Sequence, residues 1–115
     1  MSRRRKVTPE RRERILNELA SLENEIYPFI QIVKTYNFME ATGGIDNIPG
    51  VNAAEFTHQY HLAKGMALSI RQVMADMAQD IYTLEEHQAE SVAMAERLDI
   101  RLRADFAAWN EAQDV

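Results

Sequence analysis

Three side chains on one predicted helix are the best candidates for metal chemistry in this chain: Glu55, His58 and His61. Carboxylate-bridged metal sites inside helical bundles use the Glu-x-x-His spacing, with ligands that point inward from several helices. Here the apolar residues of the segment repeat on a different face, so these side chains are predicted to face solvent. The preferred interpretation is a solvated surface, and a small metal-dependent bundle enzyme is the third of three functional hypotheses.

Other catalytic arrangements are not supported by the residue types present. Without cysteine the chain has no thiol nucleophile, no disulfide framework and no cysteine-based zinc site. Its Gly-rich segment lacks the Gly-Lys-Ser/Thr ending of a phosphate-binding loop, and Ser69 and Ser91 fall within predicted helices. The sequence therefore predicts a protein that is not an enzyme, with no catalytic residue, no metal and no cofactor.

Charge is divided unevenly along the chain, whose net charge is −5. Residues 1–14 hold seven basic and two acidic residues, while the rest hold six basic and sixteen acidic ones. The seven basic residues are Arg3, Arg4, Arg5, Lys6, Arg11, Arg12 and Arg14. A basic segment on an acidic body suits contact with nucleic acid or with an acidic protein surface. It suits equally a solubilising tail, or a segment that pairs with acidic residues of its own body.

The first helix is predicted over residues 9–40, after a basic flexible arm at 1–8. Thr8 is a favourable N-cap, and Pro9 stands at the first helical position, where its missing N–H costs nothing. Apolar residues then alternate at spacings of four and three, which is a heptad pattern. They are Ile15, Leu19, Leu22, Ile26, Phe29, Val33 and Tyr36. The pattern keeps its phase through Pro28, so a kink is expected there rather than an end.

A Gly/Pro loop is predicted at 41–52, a second helix at 53–110 and a tail at 111–115. Asn52 and Glu55 form a capping-box-like pair at the start of the second helix. Its heptad pattern continues to Trp109, and residues 83–91 contain no glycine, proline or asparagine for a tight reversal. We therefore expect one long helix, bent or straight. The alternative is a break within 83–91 that gives three helices, and Thr83 followed by Glu86 favours it.

These elements predict an all-α fold, an antiparallel helical hairpin or coiled-coil-like bundle with one long second helix. At ~1.5 Å per residue the two helices would be about 48 and 87 Å long, so the first would cover only half of the second. Four apolar residues beyond the covered half are predicted to form a self-association or partner surface. They are Leu98, Leu102, Phe106 and Trp109.

The leading functional hypothesis is a non-enzymatic helical assembly module, in which copies associate through their heptad faces and the basic segment contacts nucleic acid or an acidic neighbour. A component of a viral particle or of genome packaging would fit this composition. The second hypothesis is an acidic helical adaptor or inhibitor that binds a basic groove of another protein. No apolar run approaches the ~18 residues of a membrane span, and no signal peptide is recognised. The expected location is the cytoplasm or a virion.

Overall fold

The computed structural model describes residues 7–113, and these form three α-helices joined by short connections. The helices are α1 (Pro9–Ala41), α2 (Ala53–Ala78) and α3 (Leu84–Gln113), with a turn of 3-10 helix at Ile45–Asn47. No strand occurs within the described range. The prediction of an all-α fold is therefore confirmed.

Side-chain caps set the starts of α1 and α2. The Thr8 hydroxyl accepts a hydrogen bond from the Arg11 backbone N–H at 3.2 Å, and Pro9 is the first helical residue. The Asn52 side chain accepts one from the Glu55 backbone N–H at 3.1 Å. Each bond satisfies a backbone donor that has no partner inside its helix. Helix α1 continues through Pro28 to Ala41.

The prediction of one helix over 53–110 is wrong, because residues 79–83 separate α2 from α3. A continuous helix from 53 to 113 would be about 90 Å long, whereas the longest dimension of the structure is 56 Å. Residues 79–83 contain no glycine. The reversal needs none, because no non-glycine residue of the described part adopts a positive φ. The break also lies earlier than the 83–91 segment named as the alternative, and shares only Thr83 with it.

Local hydrogen bonds and one buried side chain build this reversal. The Thr83 hydroxyl accepts from the Glu86 backbone N–H at 3.1 Å, and the Thr83 backbone N–H donates to the Glu86 carboxylate at 2.8 Å. This reciprocal capping box starts α3. The Tyr82 N–H donates to the Ala78 carbonyl at 2.8 Å, and Ile81 is buried. Turn bonds and apolar burial thus replace the turn residues that the segment lacks.

Contacts between helices show how the three lie relative to one another. Near the end of α1, the Tyr36 ring stacks on the Tyr60 ring of α2 with centroids 4.1 Å apart. At the start of α1, Arg11 contacts Asp80 just after α2. Helices α1 and α2 therefore run in opposite directions. Helix α3 then follows α1 in the same direction, because Glu23 pairs with Arg97 while Gln31, further along, bonds to Asp105.

The core lies where the three helices meet. Its buried residues are Ile26, Tyr27, Ala67, Leu98 and Leu102. The small Ala67 side chain, which is buried, allows α1 to pack close to α2. Leu98 and Leu102 were predicted to face a partner, and this is wrong. Helix α3 returns along α1, so both leucines are buried inside the chain.

Ile26→Ala tests this core, because the Ile26 side chain is 0% exposed. We expect the free energy of unfolding to fall by about 2–5 kcal/mol, from lost burial and the cavity left behind. The matched control is Ile100→Ala on α3, where the isoleucine is 68% exposed and the expected change is within about 0.5 kcal/mol. Urea unfolding measures both. Equal losses in the two variants would contradict this core.

Candidate functional site

Two of the predicted nucleic-acid contacts, Arg11 and Arg12, bond to the reversal between α2 and α3. The Arg11 guanidinium pairs with the Asp80 carboxylate at 3.0 Å. The Arg12 guanidinium donates to the Ile81 carbonyl at 3.0 Å and lies 5.8 Å from the Tyr82 ring centroid. Both arginines are therefore engaged within the chain. We call Arg11 and Arg12 the turn clamp.

The other basic residues of the N-terminal segment have different positions. Arg14 is exposed on α1 and lies beside Glu18 and Met77 in a shallow depression. Arg3, Arg4, Arg5 and Lys6 lie outside the described residues. The predicted contact set thus divides into a turn clamp, an exposed Arg14 and a basic cluster at 3–6.

Two aromatic residues remain uncovered near the end of α3. Phe106 lies four residues after Leu102, and Trp109 lies seven residues after Leu102. All three side chains are therefore on one face of α3. Leu102 is 8% exposed, but Phe106 is 39% and Trp109 60% exposed. The apolar face of α3 therefore continues beyond the part that the chain itself covers. We call Phe106 and Trp109 the aromatic end.

A polar cluster fixes α3 against α1 next to the core, and the sequence analysis did not find it. The Tyr27 hydroxyl donates to the Asp105 carboxylate, and Gln31 donates to the same carboxylate oxygen at 3.5 Å. The Arg101 guanidinium lies 3.8 Å from the Tyr27 ring centroid. The one available signal was Asp105 itself, a charged residue at an apolar heptad position.

Burial and the Asp105 carboxylate together raise the pKa of the Tyr27 phenol above its ordinary value of 10.0. Loss of the phenolic proton would place a negative charge beside Asp105 in a buried position. The neutral phenol is therefore the form that the folded chain favours.

A second polar cluster joins the same two helices one turn earlier. The Arg97 guanidinium donates to the Glu23 carboxylate at 2.6 Å and to Glu90 at 3.0 Å. The hydrogen bond that Arg97 donates to Glu23 is the main cause of the raised pKa of Arg97. Arg97 therefore stays charged and links α1 to α3, as a structural ion pair.

The candidate metal residues do not come together with other ligands. Glu55, His58 and His61 are exposed on α2, and the His61 ring meets the Tyr60 ring edge-on with centroids 5.2 Å apart. Among residues 7–113, no group of three or more histidine, aspartate or glutamate side chains is placed to hold a metal ion.

None of the helices in the described part is both long enough and apolar enough to cross a membrane. Comparisons with protein-family models, with curated proteins and with solved structures return no match. The aromatic end, the turn clamp and the surfaces around them are the features of this chain from which a function can be inferred.

Arg12→Ala tests the turn clamp. Loss of the bond to the Ile81 carbonyl should loosen the reversal, and amide exchange at Tyr82 should accelerate on the order of fivefold. The control is Arg14→Ala, because in the described residues Arg14 forms no hydrogen bond or ion pair with the reversal. Amide exchange at Tyr82 should be unchanged in this variant. Hydrogen exchange followed by NMR measures both. Equal effects from the two variants would show that the arginines act only through net charge.

Tyr27→Phe tests the polar cluster. It should lower the free energy of unfolding by about 1–2 kcal/mol, because the partly buried hydrogen bond to Asp105 is lost. In a chain that already carries Tyr27→Phe, Asp105→Asn should cause little further loss in the free energy of unfolding. If the losses from the two substitutions simply add, the two side chains are not in direct contact.

The raised pKa of Tyr27 adds a pH dependence. In the unfolded chain the phenol titrates at about its ordinary value of 10.0. The contribution of Tyr27 to the free energy of unfolding is therefore complete below this pH, and it is lost as the pH rises through the folded-state pKa. Tyr27→Phe should therefore reduce the alkaline loss of stability, as thermal melts between pH 8 and 11 would measure.

Proposed function

We propose that this protein is a non-enzymatic helical assembly module whose copies associate through the aromatic end of α3. The observation that carries the proposal is the exposure of Trp109, which is 60%, on the same helix face that buries Leu98 and Leu102. Aromatic residues dominate the energetics of protein interfaces, and tryptophan is enriched among the residues that contribute most. An apolar face that continues past its own core is the kind of surface that a partner covers.

A second copy is the simplest partner, because closed two-fold dimers are the commonest soluble oligomers. In such a dimer the aromatic ends of the two copies would pack together as a coiled-coil-like pair of α3 helices. The −5 charge of each chain opposes association at long range, so the apolar contact has to exceed this repulsion. Association should therefore strengthen as salt screens the charges.

The basic cluster at Arg3, Arg4, Arg5 and Lys6, together with the exposed Arg14, is the part we assign to nucleic acid or to an acidic neighbour. The turn clamp is not part of it, since Arg11 and Arg12 have partners within the chain. Repeated copies would present these clusters side by side, which raises avidity for a polyanion. That arrangement would suit a packaging or particle component, by analogy of composition alone.

The alternative is an acidic adaptor or inhibitor that binds a basic groove. The observation in its favour is the row of exposed acidic residues on α3, which includes Glu85 and Glu96, neither of which forms an ion pair in the described part. This alternative predicts binding to a basic protein that survives removal of residues 2–6.

Self-association is tested by Trp109→Ser, with Ile100→Ser as the matched control. Both residues lie on α3 and are well exposed, Trp109 at 60% and Ile100 at 68%, but Ile100 is nine residues from Trp109 and therefore on the opposite helix face. Light scattering across a concentration series should show that Trp109→Ser weakens association at least tenfold, while Ile100→Ser leaves it unchanged. A wild-type chain that stays at 13.2 kDa throughout the series would contradict the assembly proposal.

Contact with nucleic acid is tested by deleting residues 2–6. Binding to a single-stranded oligonucleotide should be non-specific and fall steeply with salt in the full chain, and it should disappear in the deletion variant. Arg14→Gln should weaken it only in part. Unchanged binding after the deletion would remove the basic cluster from the proposal without affecting the self-association test.

A further inference from the structure

A cleft of about 660 Å³ separates part of α3 from the α1–α2 pair. All three helices form its wall, and its volume lies within the range of small-molecule sites. The wall is mainly apolar; its larger apolar residues include Leu19, Ile26, Ile30, Met74, Met94 and Leu98. Two methionines in this wall can adapt their shape to a ligand.

The cleft is long. It runs along α1 from Leu16 to Lys34, which is about 27 Å at the helical rise. An extended hydrocarbon chain can lie along a wall of this length and keep contact with its apolar residues.

Charge around the cleft favours an anionic head group. Each acidic residue of the wall has an arginine partner: Arg97 pairs with Glu23 and Glu90, and Arg103 pairs with Asp99. The wall also contains Lys34 and Arg71. Over residues 7–113, neither of these two side chains forms an ion pair or a side-chain hydrogen bond. The cations without partners thus lie beside an apolar channel in an otherwise acidic protein.

We propose that this cleft binds one long-chain aliphatic carboxylate, with its hydrocarbon chain along the apolar wall and its carboxylate at Lys34 or Arg71. These two residues are on different helices and at different levels of the cleft, so they define two orientations of the chain. The site is separate from the aromatic end and from the basic cluster, and it stands independently of the proposed assembly function.

The probe is dodecanoate, titrated into the full chain by calorimetry below its micelle concentration. Octanoate and decanoate test the hydrocarbon part, because each added methylene should strengthen binding about fourfold. Dodecan-1-ol tests the head group, since it has the same chain without charge. Lys34→Gln and Arg71→Gln determine which cation holds the carboxylate. Lys64→Gln is the matched control, an exposed lysine of α2 outside the cleft.

Occupation of the cleft itself is tested with Ala75→Phe, whose new ring would fill part of the channel from α2. Ala20→Phe does the same from α1, where Ala20 is exposed. Using two sites keeps the test valid if one variant fails to fold. Circular dichroism melts identify the variants that retain the native helices.

The proposal expects dodecanoate to bind with a stoichiometry of one, and to lose about tenfold in affinity in either Lys34→Gln or Arg71→Gln. A folded cleft-filling variant should bind at least tenfold more weakly, while Lys64→Gln binds normally. No binding, equal binding of the alcohol, or unchanged binding in both filled variants would each overturn it. So would loss of self-association in Ala75→Phe without any carboxylate binding, because the cleft would then be an interface between copies.

Discussion

The packing of α3 back onto α1 is the interaction on which the cleft and the aromatic end depend. It buries Leu98 and Leu102 against Ile26 and Tyr27, and apolar burial of this kind is the main favourable contribution to folding. The polar bonds of Tyr27 with Asp105 and of Arg97 with Glu23 fix the position of α3 along α1. Where α3 lies away from α1 and α2, the cleft separates them. Where α3 extends beyond the core, Phe106 and Trp109 are exposed.

Elements controlled by local sequence could be predicted, and those controlled by distant residues could not. Thr8 and Asn52 cap their helices through bonds to residues three positions away, and the all-α class follows from the heptad pattern. The reversal at 79–83 has no glycine or proline, and Arg12, nearly seventy residues earlier in the chain, donates to its Ile81 carbonyl. The Thr83–Glu86 pair gave the only local signal for it.

The candidate sites show the same division. Of the four residues predicted to face a partner, Phe106 and Trp109 are exposed, whereas Leu98 and Leu102 are buried because α3 returns along α1. Arg11 and Arg12 belong to the basic segment in sequence, and in the fold each has a partner across the chain. A charge count cannot separate these roles, because pairing depends on tertiary position. The cleft is likewise a property of helix placement and has no sequence motif.

The return of α3 within one chain is tested most directly by NMR on a mixture of isotope-labelled and unlabelled protein. The account predicts nuclear Overhauser contacts from the Tyr27 ring and the Ile26 methyls to the methyls of Leu98 and Leu102, all within a single copy. Isotope-filtered spectra, which detect contacts between copies, should lack these cross-peaks. If the contacts appear only between labelled and unlabelled chains, or not at all, α3 does not fold back and the account is contradicted.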